Sequence, residues 1–189
     1  MPRPVDPLRR EQVLEGAIIF LAEHGLAGLS LRRLAAHLGV STNVISYQFG
    51  SKEGLVDAAL ARARSASTEM LMATRTEDPD VTVADAVRRT WAWWRAAPER
   101  FAYPRLNVEA MMTSDASAFE QGRRPELVNF WIDFFIDWFV SEGRSRAHAE
   151  ELSTLLSATL SGLMIDTLCT GSIDRVDRSL ERLALMIEP

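Results

Sequence analysis

The 189-residue sequence predicts an all-α protein of about nine or ten helices. Three observations lead there. Apolar residues recur at steps of three and four along most of the chain, and the alternation of a half-buried strand is rare. Serine or threonine often precedes these patterns and glycine follows them, where helix caps are wanted. The composition, 47% hydrophobic and 25% charged with one cysteine, suits a chain that buries its own core without disulfides.

The first helix lies in "EQVLEGAIIFLAEHG", where Val13, Ala17, Phe20 and Leu21 form one stripe and Gly25 follows the last turn. Ser30 caps the second, which carries Leu31, Leu34, Ala35 and Leu38 and stops at Gly39. Ser41 opens a third that runs to about Phe49. Gly50 and Ser51 break it, and Ser51 caps a long fourth with Leu55, Val56, Ala59, Leu60 and Ala63, reaching about Thr74. "TEDPD" (76–80) reads as a linker, because Pro79 and three acids oppose helix. Thr82 and Asp85 form a capping pair for a helix through Ala97. A short segment from Pro98 leads to a helix over 105–113, and "TSDASAFEQGRRP" reads as a loop. An aromatic helix spans 126–142, a long one 146–170 closed by Gly171, and a last one 173–187. No internal repeat is visible.

Between Leu34 and Phe49 the spacing is that of a helix-turn-helix. Ala35 is small where two helices cross, Gly39 supplies a positive φ, and Val40 and Ile45 face inward. The same pattern also suits an ordinary αα corner. The outward residues favour DNA. Ser41, Thr42 and Asn43 open the second helix of the pair, and Ser46, Tyr47 and Gln48 lie on its free face. These uncharged hydrogen-bonding groups suit base edges and phosphates. Arg32, on the preceding helix, is a further candidate DNA-binding residue. Lys52, the only lysine in the chain, stands in the first turn of the fourth helix. A cation there opposes the helix dipole unless an anion docks at the same terminus. A DNA phosphate is that anion; the alternative is a plain surface lysine.

Charge agrees with this division. The net charge is −5, yet residues 1–55 hold six basic against five acidic side chains, and the rest holds 15 against 21. A near-neutral reading head on an acidic body binds DNA when its cations share one face.

"LRRLAAHLGVSTNVISYQFGSKEGLV" resembles the N-terminal signature of the TetR family of bacterial transcriptional regulators. The likeness covers about 12–60, and "VLEGAIIFLAEHG" matches the family's preceding helix. Ser46 stands where the family commonly has a tyrosine, and Tyr47 follows one place later, which shifts the phosphate or base touched. The resemblance implies an all-helical fold, a homodimer and a C-terminal effector pocket. On that basis 1–55 is expected to be the DNA-binding domain and 56–189 the ligand-binding and dimerisation domain. The expected activity is repression of transcription at a near-palindromic double-stranded operator, relieved by a small apolar or aromatic effector. The rival reading is a helical carrier of apolar ligands that does not bind DNA.

All five tryptophans follow the linker. Phe130, Trp131, Phe134, Phe135 and Trp138 repeat at helical spacing, and with Trp91, Trp94, Phe101, Met111 and Met112 they are candidates to line a cavity. The same rings also suit a packed core. Arg88, Arg95 and Arg105 can meet an acidic ligand group or form surface ion pairs.

Ile173, Val176, Leu180, Leu183 and Ile187 form a seam on the last helix. The helix before it carries Leu156, Leu160 and Leu163, with Ser157, Ala158, Ser161 and Gly162 allowing close contact. Two such helices from each subunit would make a four-helix dimer interface, the alternative being a monomeric bundle core.

No catalytic constellation, metal spacing or phosphate loop is present in the sequence, so neither enzyme chemistry nor a cofactor is expected. The first ten residues lack the apolar core of a signal peptide. Residues 152–173 hold one charge, Asp166, but eight Ser and Thr, which fits a buried helix better than a membrane span. The expected location is the cytoplasm.

Overall fold

The computed structural model describes residues 7–112 and 123–188. Among them the chain forms nine helices and no strand: α1 (Pro7–His24), α2 (Leu31–Leu38), α3 (Thr42–Phe49), α4 (Lys52–Glu77), α5 (Val83–Arg95), α6 (Pro98–Met112), α7 (Arg123–Ser141), α8 (Arg146–Thr170) and α9 (Ile173–Ile187).

Local chemistry explains most of the boundaries. Ser30 Oγ accepts from Arg33 N, Ser51 Oγ from Gly54 N, Thr82 Oγ1 from Asp85 N and Ser145 Oγ from His148 N. Each satisfies one of the free N–H groups of a helix start. Ser41 opens α3 without a side-chain cap bond. Gly39 ends α2 with φ of 65°, and its turn is closed by Val40 N donating to Ala35 O at 3.0 Å.

Two elements differ from expectation. α4 runs to Glu77, through the start of the expected linker. α6 is one continuous helix from Pro98, with Pro104 inside it. Pro98 is helix-compatible because a first-turn N–H has no helical partner anyway. Pro104, inside the helix, removes the bond to Arg100 O and its ring crowds that carbonyl, a cost of about 3 kcal/mol that the helix bears while its Ala102–Tyr103–Leu106–Ala110 flank is buried. Most of the expected loop before α7 lies outside the described residues.

Two apolar cores follow. The first joins α1, α2, α3, α4 as far as Ala66, and the Ala102–Tyr103–Leu106–Ala110 flank of α6. α1 and α2 approach closely enough that a Cβ on Gly16 would come 2.4 Å from Leu38 Cδ2. The second joins Leu71 of α4 and Val108 of α6 to α5, α7, α8 and α9. α4 and α6 contribute buried residues to both cores, and α5, mainly in the second, packs Trp93 against the first.

Candidate nucleic-acid interface and ligand cavity

α3 is seated by Ile45, which is fully buried, and by the partly buried Val44 and Phe49. Its other side faces outward. Ser41, Thr42, Asn43 and Tyr47 are exposed, and Tyr47 shows 48% of its surface. Ser46 is half-buried. Gln48 differs from expectation, because its Oε1 is buried without a hydrogen-bond partner, so the amide is turned toward the protein. Lys52 begins α4 immediately beyond, and it has no ion-pair partner among the described residues. Arg32 is exposed on α2. One neighbour was not foreseen: the Arg10 guanidinium lies 4.9 Å from the Phe49 ring centroid, which sets a further cation beside the end of α3. The "LRR" at the start of α1 was its only signal.

A cavity of about 90 Å³ lies among α4, α5, α6, α7 and α8. Of the ten expected lining residues, Trp94, Met111, Trp131 and Phe135 line it. Five others do not, for packing reasons. Trp91 is buried and its Nε1 donates to Asp177 Oδ1 at 2.9 Å, tying α5 to α9. Phe101 packs edge-on against Trp91 at 6.5 Å. Trp138 is buried beneath Arg75, Phe134 packs against Phe135 and Trp138, and Phe130 lies exposed beneath Arg64. The side chain of Met112 lies outside the described residues. A helical repeat of rings covers two faces, and only one meets the cavity.

The polar lining was missed. Ser67 of α4, Thr90 of α5 and Asn107 of α6 face the cavity, and so do Ser157 and Ser161 of α8, which had been read as close-contact residues of a dimer. Among the described residues no charged side chain lines it. The three arginines are used elsewhere: Arg88 pairs with Asp85, Glu181 and Glu188, Arg95 with Asp177, and Arg105 with Glu109.

α6 also grips the head. Arg105 Nη1 donates to Ala22 O at 2.5 Å and Glu109 Oε2 accepts from Leu26 N at 2.7 Å, so the end of α1 is bound to α6. Arg105 Nε holds Glu109 Oε1 at 2.6 Å. The same helix turns Pro104, Asn107 and Met111 to the cavity.

The expected dimer seam is corrected. Val176, Leu180, Leu183 and Ile187 are buried in their own subunit's core, as is Leu156, and Leu160 and Leu163 pack against that core. Leu160 also lines the cavity. Only Ile173 of the expected set is exposed. The outward face of α8 instead carries Leu155, Ala158, Gly162, Ile165 and Cys169 on one stripe, and nothing lies within 4 Å of a Cβ built on Gly162. α8 is long and apolar enough to cross a membrane by length and composition, yet only 28% of its apolar window is buried within the chain.

Comparison with known proteins accords with this geometry. Residues 13–59 match the family described as bacterial regulatory proteins, tetR family. The chain is 29% identical over 188 residues to the HTH-type transcriptional repressor AcnR of Corynebacterium diphtheriae, covering 92% of this chain and 88% of that protein. It is 34% identical over 71 residues to the HTH-type transcriptional regulator BetI 2 of Chromohalobacter salexigens, covering 38% of this chain and 34% of that protein. The match therefore spans about a third of that relative's length. Among solved structures, a TetR transcriptional regulator from Legionella pneumophila superposes with a TM-score of 0.74 at 15% identity, covering 96% of this chain and 98% of that one. The multidrug binding protein EbrR complexed with malachite green superposes with a TM-score of 0.66 at 22% identity, covering 94% and 98%. At these identities the structural likeness is one of fold.

Proposed function

This chain belongs to the TetR family of bacterial transcriptional regulators, and from that premise we propose that it is a ligand-released repressor that binds a near-palindromic operator as a homodimer. The observation that carries the proposal is the exposed face of α3. Ser41, Thr42, Asn43 and Tyr47 present uncharged hydrogen-bonding groups, and Lys52 and Arg10 flank them with positive charge. Base edges meet the former and phosphates the latter.

The dimer reading draws on the outward stripe of α8. Its apolar residues are left in water by the single chain, and Ala158 and Gly162 allow a second helix to come close. Two heads on a two-fold axis read two half-sites. The relative AcnR is named a repressor, and the multidrug binding protein EbrR has been solved with malachite green. Both agree with a repressor that has an effector cavity.

Release requires a ligand that prefers the arrangement unable to bind DNA. A tenfold loss of operator affinity needs about 1.4 kcal/mol of differential binding. α4 is one route from cavity to head, since Ser67 and Leu71 line the cavity and Lys52 lies at its other end. α6 is the second, through the Arg105–Glu109 grip on α1. The test is a gel-shift titration of the full chain against DNA flanking its own gene. A retarded band that excess unlabelled fragment removes, and unrelated DNA does not, is the expected result. Equal competition by both would mean non-specific contact and sink the operator reading, and no retarded band at all would leave the carrier that does not bind DNA.

A further inference from the structure

His24 closes α1, and His37 lies in the last turn of α2. Their separation in the chain matches no metal motif. The packing of α1 on α2 brings the two rings together. The His24 ring stacks on Phe20 with centroids 4.3 Å apart, and the His37 ring meets the same Phe20 edge-on at 5.3 Å. The two imidazoles stand 6.4 Å apart at 75°. Phe20 is buried, so it is a fixed platform for both.

Their nitrogens are engaged differently. His24 Nδ1 lies 3.0 Å from Phe20 O. A carbonyl oxygen only accepts, so Nδ1 carries the proton and the lone pair of the neutral ring is on Nε2. A ring N–H held by a backbone carbonyl, with the other nitrogen left over, is the arrangement of a metal-ligating histidine. His37 is exposed and makes no hydrogen bond among the described residues, so either of its nitrogens is available. Two imidazoles bound to one ion at about 2.0–2.1 Å have ring centroids about 5 Å apart when the bonds meet at the tetrahedral angle. A small swing of the exposed His37 closes that gap while His24 keeps its bond to Phe20 O.

The charge around the pair is mixed. Glu23 Oε2 lies 3.8 Å from His24 Nδ1 and favours a cation. The Arg33 guanidinium, 5.7 Å from the Phe20 centroid, opposes one, but its Nη1 is committed to Gly28 O. Among the described residues no three His, Cys, Asp or Glu side chains converge, so water fills the other positions of the ion.

We propose that His24 and His37 bind one divalent ion of the nickel, copper and zinc group, for which imidazole is a matched ligand, and that the ion ties the end of α1 to the end of α2. Ala22 O and Leu26 N, on either side of His24, are the groups that Arg105 and Glu109 of α6 hold. An ion there stiffens the corner by which the body grips the head. The inference stands apart from the effector cavity and from DNA binding.

The experiment loads the full chain with Zn²⁺, with Ni²⁺ and with Mg²⁺ at neutral pH and counts bound ion by equilibrium dialysis. Zn²⁺ and Ni²⁺ should bind at one ion per chain, and Mg²⁺ should not, because it takes oxygen ligands. His24→Gln and His37→Gln should each lower Zn²⁺ affinity at least about tenfold. His37→Cys, one ligand for another, should bind Zn²⁺ more tightly than His37→Gln. The chain has three histidines, so their ring C–H proton resonances can be followed singly. Those of His24 and His37 should shift with Zn²⁺, and those of His148 should not. Zn²⁺ should also raise the melting point of wild type and leave that of His37→Gln in place. His37 is exposed, so this variant decides the matter if His24→Gln fails to fold. Binding lost in His148→Gln or Cys169→Ser but kept in His37→Gln overturns the inference. A shift of only one of the two rings overturns it too, as does Mg²⁺ binding as tightly as Zn²⁺. A wild type that binds no Zn²⁺ ends it outright.

Discussion

Lys52 stands where its own helix repels it. A cation in the first turn faces the positive end of the dipole at a cost of about 0.3–1 kcal/mol, and no acidic partner among the described residues offsets it. A phosphate bound at that terminus reverses the sign. Lys52→Ala should therefore weaken binding to all DNA sequences about equally and lower the salt slope by about 1, measured by anisotropy titrations at several salt concentrations. Asn43→Ala should instead change which base is preferred at one operator position. An untouched salt slope in the lysine variant would exclude the phosphate contact. Glu142 makes a different residue-scale case. Burial pushes its carboxyl above the ordinary 4.5, against the lowering effects of the Val83 N–H bond and of Arg144 and Arg75. A carboxyl with a raised folded pKa adds stability below its unfolded pKa and loses that contribution as pH rises through the folded one. Glu142→Gln keeps an acceptor for Val83 N and removes the charge. Urea melts at pH 4.5 and 7.5 should show the variant gaining on the wild type as pH rises; a constant difference would contradict the burial effect.

Among the elements, α6 has the most to transmit. One flank packs in the head core, another lines the cavity, and its Arg105 and Glu109 bond the end of α1. A guest that shifts α6 moves both acceptor and donor of that grip. Arg105→Ala or Glu109→Ala should leave quenching of tryptophan fluorescence by an aromatic effector within about twofold of wild type. The loss of operator affinity on adding that effector, about 5–150-fold in a typical coupled pair, should shrink toward none. Parallel quenching and anisotropy titrations measure the two. Retention of the full response in both variants would leave α4 as the sole lever.

At the scale of the whole molecule, the acidic body and the near-neutral head divide the labour. With 21 acids against 15 bases, residues 56–189 disfavour DNA relative to the near-neutral 1–55. The α8 stripe is the surface on which a second chain would set the spacing of the two heads. Leu155→Glu combined with Ile165→Glu places charge on that stripe without touching either core. Sedimentation at micromolar concentration should show a dimer for wild type and a monomer for the double variant, with operator affinity reduced at least about tenfold through loss of the second half-site. A wild-type monomer would end the two-headed reading.

What the sequence by itself determined is whatever neighbours in the chain decide. The caps at Ser30, Ser51, Thr82 and Ser145, the turn at Gly39 and the helix-turn-helix spacing involve groups at most five residues apart, so their chemistry is written consecutively. Even there, the helix expected over 105–113 begins at Pro98, and only the full helix shows that Pro104 is tolerated inside it. Tertiary structure alone decided what each apolar stripe faces. Val176, Leu180, Leu183 and Ile187 had to leave water, but water rewards their burial against the same chain or a second copy alike. The fold sent them inward and left Leu155 and Ile165 outside. The aromatic run of α7 divided in the same way, Phe135 to the cavity and Trp138 to the core. The polar lining by Ser67, Thr90 and Asn107 was invisible in the sequence because which side chains share a cavity is decided by packing. The hydrophobic effect is non-directional, so a one-dimensional pattern states that a side chain is buried, and only packing in three dimensions states against what.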